Sequence, residues 1–412
     1  MIQWLLCNYY TFGGVIILKR LAAALTVIMI CITLFSGCGK NNNVSLTVWC
    51  SEVDKKIVTK MVNEFLAANS TVKSIQVEVV EDDHAREIFE DKPLEAADII
   101  CIPHDQLGAL VSQGYLHEIT DEKYITMIND NTAPSVKAGQ IEERQYGFPS
   151  SFETQMLFYD RSIISDLAAQ TLEGIINSPV PEGGIPFGMD FSNAYYTANW
   201  FFTYGCKLFG ENGEDKDLCD FDSEAGIAAM TNLIENRESF GDMDGDAALA
   251  LFIEHKLGAY IGGPWNAAAF TDALGGYYGC AKLPSIDGKE MQSFAGFKLY
   301  CVNSNTKNKQ AAMDLAAWLT NHDNQKLRFG ERNLIPVAMS LADDIDVAVS
   351  TTAKAVMAQG LNAIAMPSIP EISFFWDPTG DFTLACYMGE VTISELPMRL
   401  SVLTAVIKGV RN

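Results

Sequence analysis

The chain has 412 residues, 48% of them hydrophobic, which is enough for more than one buried core and about two domains. Its formal net charge is −23; setting aside Lys19 and Arg20, the only charged residues before position 38, leaves 27 basic residues against 52 acidic ones. No basic stripe remains to neutralise phosphates, so a nucleic-acid partner is not expected.

Lys19-Arg20 and the apolar run 21–35 read as the basic and hydrophobic regions of a signal segment, shorter than the ~20 residues a spanning helix needs. The run closes on Leu34-Phe-Ser-Gly-Cys38, small residues before a cysteine, which resembles a bacterial lipoprotein box with Phe35 where Leu is usual. Residues 1–37 are therefore expected to be a leader, Cys38 the lipidation site, and 38–43 a lipidated Cys with a polar tether that includes Asn41-Asn42-Asn43. A plain transmembrane anchor is the alternative. The aromatic stretch 1–17 fits neither a basic region nor a domain, which points to translation starting near Leu18. Of ten cysteines, Cys7 and Cys31 fall in the leader and Cys38 takes the lipid. None of the other seven forms a C-x-x-C pair, and Cys50, Cys101 and Cys301 sit in apolar runs, so buried small hydrophobes are expected rather than a metal site. A Cys206–Cys219 bridge is left open.

In chain order, Ser45-Leu-Thr-Val-Trp49 reads as a strand, and Asp54 begins a helix with Ile57, Met61, Phe65 and Val58, Val62, Leu66 in two i, i+4 rows. Alternating Ile75, Val77 and Val79 give a second strand, a short helical stretch follows, and the apolar run after Asp98 gives a third strand bounded by Pro103. His104 and Asp105 then open a helix through Leu107, Leu110 and Val111, with Gly114 placed as its left-handed terminator. This βαβαβ order predicts a parallel sheet, and Asp105 lies at the carboxyl end of a strand, where ligands collect. Taken alone, Asp105 reads more readily as a helix cap than as a ligand group.

The stretch 145–159 is extended, with Gly147 and Pro149, and suits a passage from one lobe to another. Helices are predicted over 163–172, 194–208 and 223–239, the last capped by Asp220 or Asp222. Residues 253–263 return to strand character and end in Gly-Gly-Pro-Trp265; 294–302 is a second extended crossing. A helix with Ala311, Leu315, Trp318 and Leu319 inward follows, then helical 353–359, an aromatic loop at 374–376 and a last helix from Ser394. Two crossings within an α/β chain predict two discontinuous lobes, 44–150 with 299–345 and 151–298 with 346–412, and a cleft between them.

Catalytic signals are sparse. Asp242-Met-Asp-Gly-Asp246 opens like a calcium loop but has Ala247 and Ile253 where Gly and Glu are needed, so Asp246 is expected to cap a helix. No catalytic motif, metal site or cofactor is predicted. Aromatics at element ends are more informative: Trp49, Phe152, Tyr195, Tyr196, Trp265, Phe375 and Trp376. Core packing accounts for about half of such a set, but aromatic faces beside carboxylates are also what a sugar site needs, because C–H faces stack on rings and carboxylates accept hydroxyl hydrogens.

Several blocks stand out: Ala97-Asp-Ile-Ile-Cys-Ile-Pro-His-Asp-Gln with Gly114-Tyr-Leu-His-Glu-Ile-Thr120, and Phe148-Pro-Ser-Ser-Phe-Glu153 with Leu157-Phe-Tyr159. Tyr195-Tyr-Thr197, Gly263-Pro-Trp265 and Pro367-Ser-Ile-Pro-Glu-Ile-Ser-Phe-Phe-Trp376 follow them in order. On these blocks the chain from Val44 onward resembles the extracellular maltose/maltodextrin-type solute-binding proteins of ABC sugar importers. The resemblance implies a two-lobed periplasmic-binding-protein-like α/β fold, a hinge of extended segments, and ligand contacts from Asp105, Glu153, Tyr195, Tyr196, Trp265 and Trp376, with Glu52, Asp54 and Lys55 as further candidates. It also implies a non-enzymatic, monomeric protein on the outer face of the cytoplasmic membrane that passes an oligosaccharide to ABC permease subunits. The chain departs from the family pattern at Ile102 (Trp), Gln106 (Arg), Asp377 (Tyr) and Gly380 (Arg), which implies a different sugar or sugar length, and implies that Ile102→Trp raises maltodextrin affinity. A secreted glycoside hydrolase and a sugar-sensing receptor subunit are the competing readings.

Overall fold

The computed structural model describes residues 44–410; the leader, Cys38 and the tether lie outside them. Among the described residues no helix is long and apolar enough to cross a membrane. The strands in chain order are β1 (Val44–Cys50), β2 (Val72–Val79), β3 (Ile99–Pro103), the short pair β4 (Gln140–Ile141) and β5 (Arg144–Gln145), β6 (Gly147–Thr154), β7 (Met156–Asp160), β8 (Ile185–Met189), β9 (Phe240–Asp242), β10 (Leu257–Gly262), β11 (Tyr278–Ala281), the pair β12 (Ser285–Ile286) and β13 (Lys289–Glu290), β14 (Ser293–Val302) and β15 (Ala363–Ala365).

In the first lobe β2, β1 and β3 run parallel, with Val48 facing Val77 on one side and Ile99 on the other. They are joined through helices Lys55–Ala68 and Ala85–Asp91. The first helix buries Ile57, Val58, Met61, Val62 and Phe65, the i, i+4 rows its sequence carries. Opposite faces of β3 feed different cores. Ile99 and Cys101 join Leu46, Val48, Tyr300 and the helix Lys309–Leu319, while Ile100 and Ile102 join Trp49, Phe89, Leu107 and Leu299. The second lobe is built on a mixed sheet in the order β11-β7-β10-β8-β9. Its core is rich in aromatics (Phe187, Phe191, Trp200, Phe201, Phe221), and the terminal helix Leu396–Ile407 closes it with Leu396, Leu400, Leu403 and Ile407.

The lobes are joined by paired strands. β6 runs antiparallel to β14 from Gly147↔Cys301 to Ala295↔Thr154, and the chain then enters the second sheet as β7. β14 in turn carries β3 along its other edge at the first-lobe end and β15 at the second-lobe end. Buried polar bonds pin the second-lobe end: Thr154 Oγ1 donates to Phe294 O at 2.8 Å, and Gln359 Nε2 donates to Met291 O at 3.0 Å. His104, from the first lobe, sits between β14 and the residue that follows β15. Its Nδ1 accepts from Phe297 N at 3.2 Å, so Nε2 carries the proton toward Met366 O, also at 3.2 Å. Burial pushes the imidazole pKa down to about 4, which keeps it neutral.

Several local readings change. Residues 163–171 form turns and a short 3-10 helix (Ala168–Gln170), and the α-helix is Leu172–Ile176, because Thr171 stays extended and its hydroxyl accepts from Gly174 N. The helix begun at Ala194 stops at Thr203, with Gly205 at φ 100° just beyond it. Ser223, not Asp220 or Asp222, caps Glu224–Asn236, and Asp220 accepts from Lys207 N instead. Asp244, not Asp246, caps the helix Gly245–Ile253, its carboxylate accepting from Ala247 N at 2.8 Å. Trp376 opens the helix Trp376–Tyr387 rather than lying in a loop. The seven described cysteines are free thiols, six of them buried, and Cys206 and Cys219 are not bridged.

Candidate functional site

Between the lobes lies a cavity of about 970 Å³. The first lobe contributes the carboxyl ends of its parallel strands: Asp54 after β1, the 81–87 segment after β2, and Asp105 with Gln106 after β3. The hinge contributes Glu153 from β6 and Gly296 and Lys298 from β14; the second lobe contributes Tyr195, Tyr196, Trp265 and Trp376. The topology explains this convergence, because side chains leaving the carboxyl end of a parallel sheet open into the crevice above it.

Asp105 lies in the turn between β3 and the helix Leu107–Ser112 and makes no cap bond there. It is buried, which raises its pKa to about 6 against the pull of its own backbone N–H, Lys298 and Arg86. Glu153 faces Gly296 across the hinge ribbon, and Ser151 faces Lys298, so Glu153 and Lys298 are diagonal neighbours on one face. Burial raises the Glu153 pKa to about 7 although Lys298 opposes the rise. Burial works against the Lys298 charge, but Asp82 and Glu153 outweigh it and hold the ammonium well above its ordinary range. Asp54 is clamped by Arg332, with Nε to Oδ1 at 3.0 Å, and both side chains are largely covered.

The aromatic wall is a connected set. Tyr195 stacks on Phe294 at 6.2 Å and 19°, meets Tyr196 edge-on at 5.3 Å and lies 6.3 Å from Trp265. Trp376 meets Phe294 and Phe375 edge-on at 5.6 and 4.8 Å. Tyr195, Trp265 and Trp376 pack against the second-lobe core while remaining only partly buried, so each keeps surface for the cavity. Asn193 sets the position of the tyrosines: its side chain accepts from Tyr195 N and starts the helix there.

Of the nine ligand candidates, Asp54, Asp105, Glu153, Tyr195, Tyr196, Trp265 and Trp376 line this one cavity. Glu52 and Lys55 are exposed and off its lining. Among the other aromatics, Trp49 and Phe375 are core, Trp49 donating to Glu78 Oε2 at 3.0 Å. Ile102 is wholly buried under the cleft wall. Gln106 lines the cavity and uses its amide to hold the 82–86 loop, donating to Asp82 O at 3.2 Å and Asp83 O at 2.7 Å and accepting from Arg86 N at 3.2 Å. Lys298, Asp82 and Arg332 were not among the candidates. Lys298 had a legible signal, as the one charge in the otherwise uncharged ten-residue strand Ser293–Val302. Ten carboxylates but only three permanent cations (Arg86, Lys298, Arg332) line the cavity, which disfavours an anionic ligand and suits hydroxyl donors. Among the described residues no group of His, Cys, Asp and Glu is placed to hold a metal.

Two α/β lobes hinged by paired strands, with ligand-facing side chains drawn from both, define a binding protein that takes its ligand between lobes. The sequence from 60 to 358 matches the profile of bacterial extracellular solute-binding proteins, and the chain belongs to that family. It is 30% identical over 390 residues to a galactooligosaccharide-binding protein of Bacillus subtilis (strain 168), covering 87% of this chain and 91% of that one. It is 30% identical over 312 residues to a maltooligosaccharide ABC transporter solute-binding lipoprotein of Streptococcus pneumoniae (strain ATCC BAA-255 / R6), covering 71% and 72% respectively. The solved maltodextrin-binding protein of L. casei BL23, without ligand, superposes with a TM-score of 0.77 at 26% identity, over 89% of this chain and 100% of that one.

Proposed function

We propose that this protein captures an oligosaccharide between its lobes and delivers it to the membrane subunits of an ABC importer. The observation that carries the reading is the pairing in one cavity of partly covered aromatic faces (Tyr195, Trp265, Trp376) with the buried carboxylates Asp105 and Glu153. Rings take the apolar face of a pyranose, and carboxylates accept from its hydroxyls. Tyr196 and Asp54 complete the set; Glu52 and Lys55 act only if closure brings them inward. The relatives' ligands put maltooligosaccharides and galactooligosaccharides first among the candidates. The lobes are 44–150 with 299–345 and 151–298 with 346–412. The protein works as a monomer, without enzymatic activity, on the outer face of the cytoplasmic membrane, held there by lipid on Cys38.

A thermal-shift screen over maltooligosaccharides and galactooligosaccharides tests this, since a ligand that binds only the folded state stabilises it by RT ln(1 + [L]/Kd). The expected result is a concentration-dependent rise in Tm with at least one series and no new reducing ends on prolonged incubation. No shift with either series, or steady release of reducing ends, overturns the reading.

A further inference from the structure

One buried polar side chain ties the hinge to the aromatic wall. Gln155 is the single residue between β6 and β7, where the chain leaves the hinge for the second sheet, and it is wholly buried. Its Nε2 donates to the backbone carbonyl of Tyr195, and its Oε1 accepts from Asn199 Nδ2, one turn further along the same helix. Asn199 is also wholly buried, and its amide nitrogen lies 3.9 Å from Met291 Sδ. Two amides set in an aromatic core are costly unless they bond well, so the pair calls for a reason beyond packing.

Tyr195 is held from three sides. Asn193 Oδ1 accepts from its N–H at 2.9 Å, Gln155 holds its carbonyl, and its ring stacks on Phe294. Phe294 lies on β14 and Gln155 directly follows β6, so two of the three supports come from the hinge strands. Glu153 stands two residues before Gln155 on the same run of chain. Burial raises the Tyr195 phenol pKa and the Glu153 carboxylate raises it further, which marks the two groups as neighbours. Gln155 itself does not line the cavity.

We infer that Gln155 is a positioning residue of the sugar site: it fixes Tyr195 against the hinge so that one pyranose can lie on the ring while a hydroxyl of the same unit donates to Glu153. The inference rests on the oligosaccharide reading and adds to it the device that holds ring and carboxylate in register. A helix held only by its own cap and core can shift against β6; a bond from the strand to its first turn removes that freedom. The register matters because one rigid ligand must make the stacking contact and the charge-assisted bond together.

The test is a mutant cycle read with maltotriose and with β-1,4-galactotriose, by titration calorimetry and, for weak binders, by the sugar-induced rise in Tm. Gln155→Met/Asn199→Leu replaces both amides with apolar groups of similar size and removes no charge. It also takes out Asn199 Oδ1, which has no partner among the described residues, and leaves the Tyr195 carbonyl its place in the helical ladder. The variant should melt near the wild type and bind the preferred sugar about tenfold more weakly. That loss should persist in a Trp376→Ala background but shrink to within about twofold beside Tyr195→Ala, because a residue acting through Tyr195 then has nothing left to position. A merely structural pair would give the same change in every background. If the wild type binds a sugar and the pair variant binds it within about twofold of wild type, the inference falls alone. It also falls alone if the loss is undiminished beside Tyr195→Ala, if it vanishes beside Trp376→Ala, or if Tyr195→Ala by itself costs no affinity. If the pair variant does not fold, Gln155→Leu/Asn199→Ala enters the same cycle; failure of both to fold makes the amides a folding requirement and overturns the inference. If the wild type binds neither sugar, the inference falls together with the reading it rests on.

Discussion

Trp265 and Trp376 differ from Trp200 in what their loss should cost. Trp200 is fully enclosed in the second-lobe core, whereas the other two are partly covered and line the cleft. Trp200→Ala should cost about 3–5 kcal/mol of folding stability, as core truncations do. Trp265→Ala and Trp376→Ala should lower apo stability less and weaken sugar binding by roughly 2 kcal/mol or more. Apo melts beside calorimetric titrations separate the outcomes; large melting losses with unchanged affinity would assign both to the core. Glu153 makes a pH-dependent prediction. Its folded pKa is raised to about 7, so it contributes stability that is present below the unfolded carboxylate value of about 4.3 and is lost as pH rises through about 7. Glu153→Gln should therefore lose less apo stability than wild type between pH 5 and 8, by roughly 1–3 kcal/mol, with the remaining slope centred near Asp105 at about 6. Sugar binding has the opposite sign: an ionised acceptor binds hydroxyls better, so wild-type affinity should rise through the same window and the variant's should rise less. Melts and titrations at three pH values check both. That these residues belong to a site was legible from residue type at element ends. That Trp49 and Phe375, equally well placed in sequence, are core was not, because burial depends on strand neighbours far away in the chain.

At the scale of elements, periodicity carried the β1–β3 unit and its first helix well. In the Lys309–Leu319 helix Leu315 and Leu319 are buried as the spacing shows, but Ala311 and Trp318 are only partly covered and Ala312, Met313 and Ala316 complete the face. Helix starts were less legible. Spacing points to Asp246 as a cap, whereas in the structure Asp244 has the extended backbone and accepts from Ala247 N. Strand alternation also corrects the expectation for Ile102. Successive residues of β3 point to opposite faces, and Ile102 points with Ile100 into the cluster of Trp49, Phe89 and Leu107 rather than into the cleft. Ile102→Trp should therefore overpack this cluster, costing about 1–3 kcal/mol, and should add no stacking face. A lower melt without gain in maltodextrin affinity is the expected outcome; a tenfold gain would show that β3 shifts to present the ring.

At the scale of the whole molecule, location and motion are separate questions. If Cys38 carries a diacylglyceryl group, two acyl chains anchor the protein at once. Cys38→Ser should then release it to the medium or leave it unprocessed, as cell fractionation and the mass of the N-terminus would show; a correctly processed variant retained on the membrane at wild-type level would count against the anchor.

Closure depends on where the fold is stiff. β6 and β14 are paired along their length, and the buried bonds of Thr154 and Gln359 tie the second-lobe end to that lobe. His104, from the first lobe, bonds Phe297 N in the ribbon and Met366 O just beyond β15 on the second-lobe side, and its neutrality keeps Nδ1 able to accept from Phe297 N. Bending is then confined to a few residues of the ribbon, and the two largest cores, which share no residue, should move as rigid bodies. Such bodies can shut on a sugar only by rotating about the ribbon, which narrows the cleft and shortens the molecule across it. Small-angle scattering at saturating sugar should show a smaller radius of gyration than the apo protein and a form factor fitted by rigid lobes. An unchanged radius in a sample shown by calorimetry to be saturated would mean that the ligand enters a preformed cleft and that the paired strands do not act as a hinge.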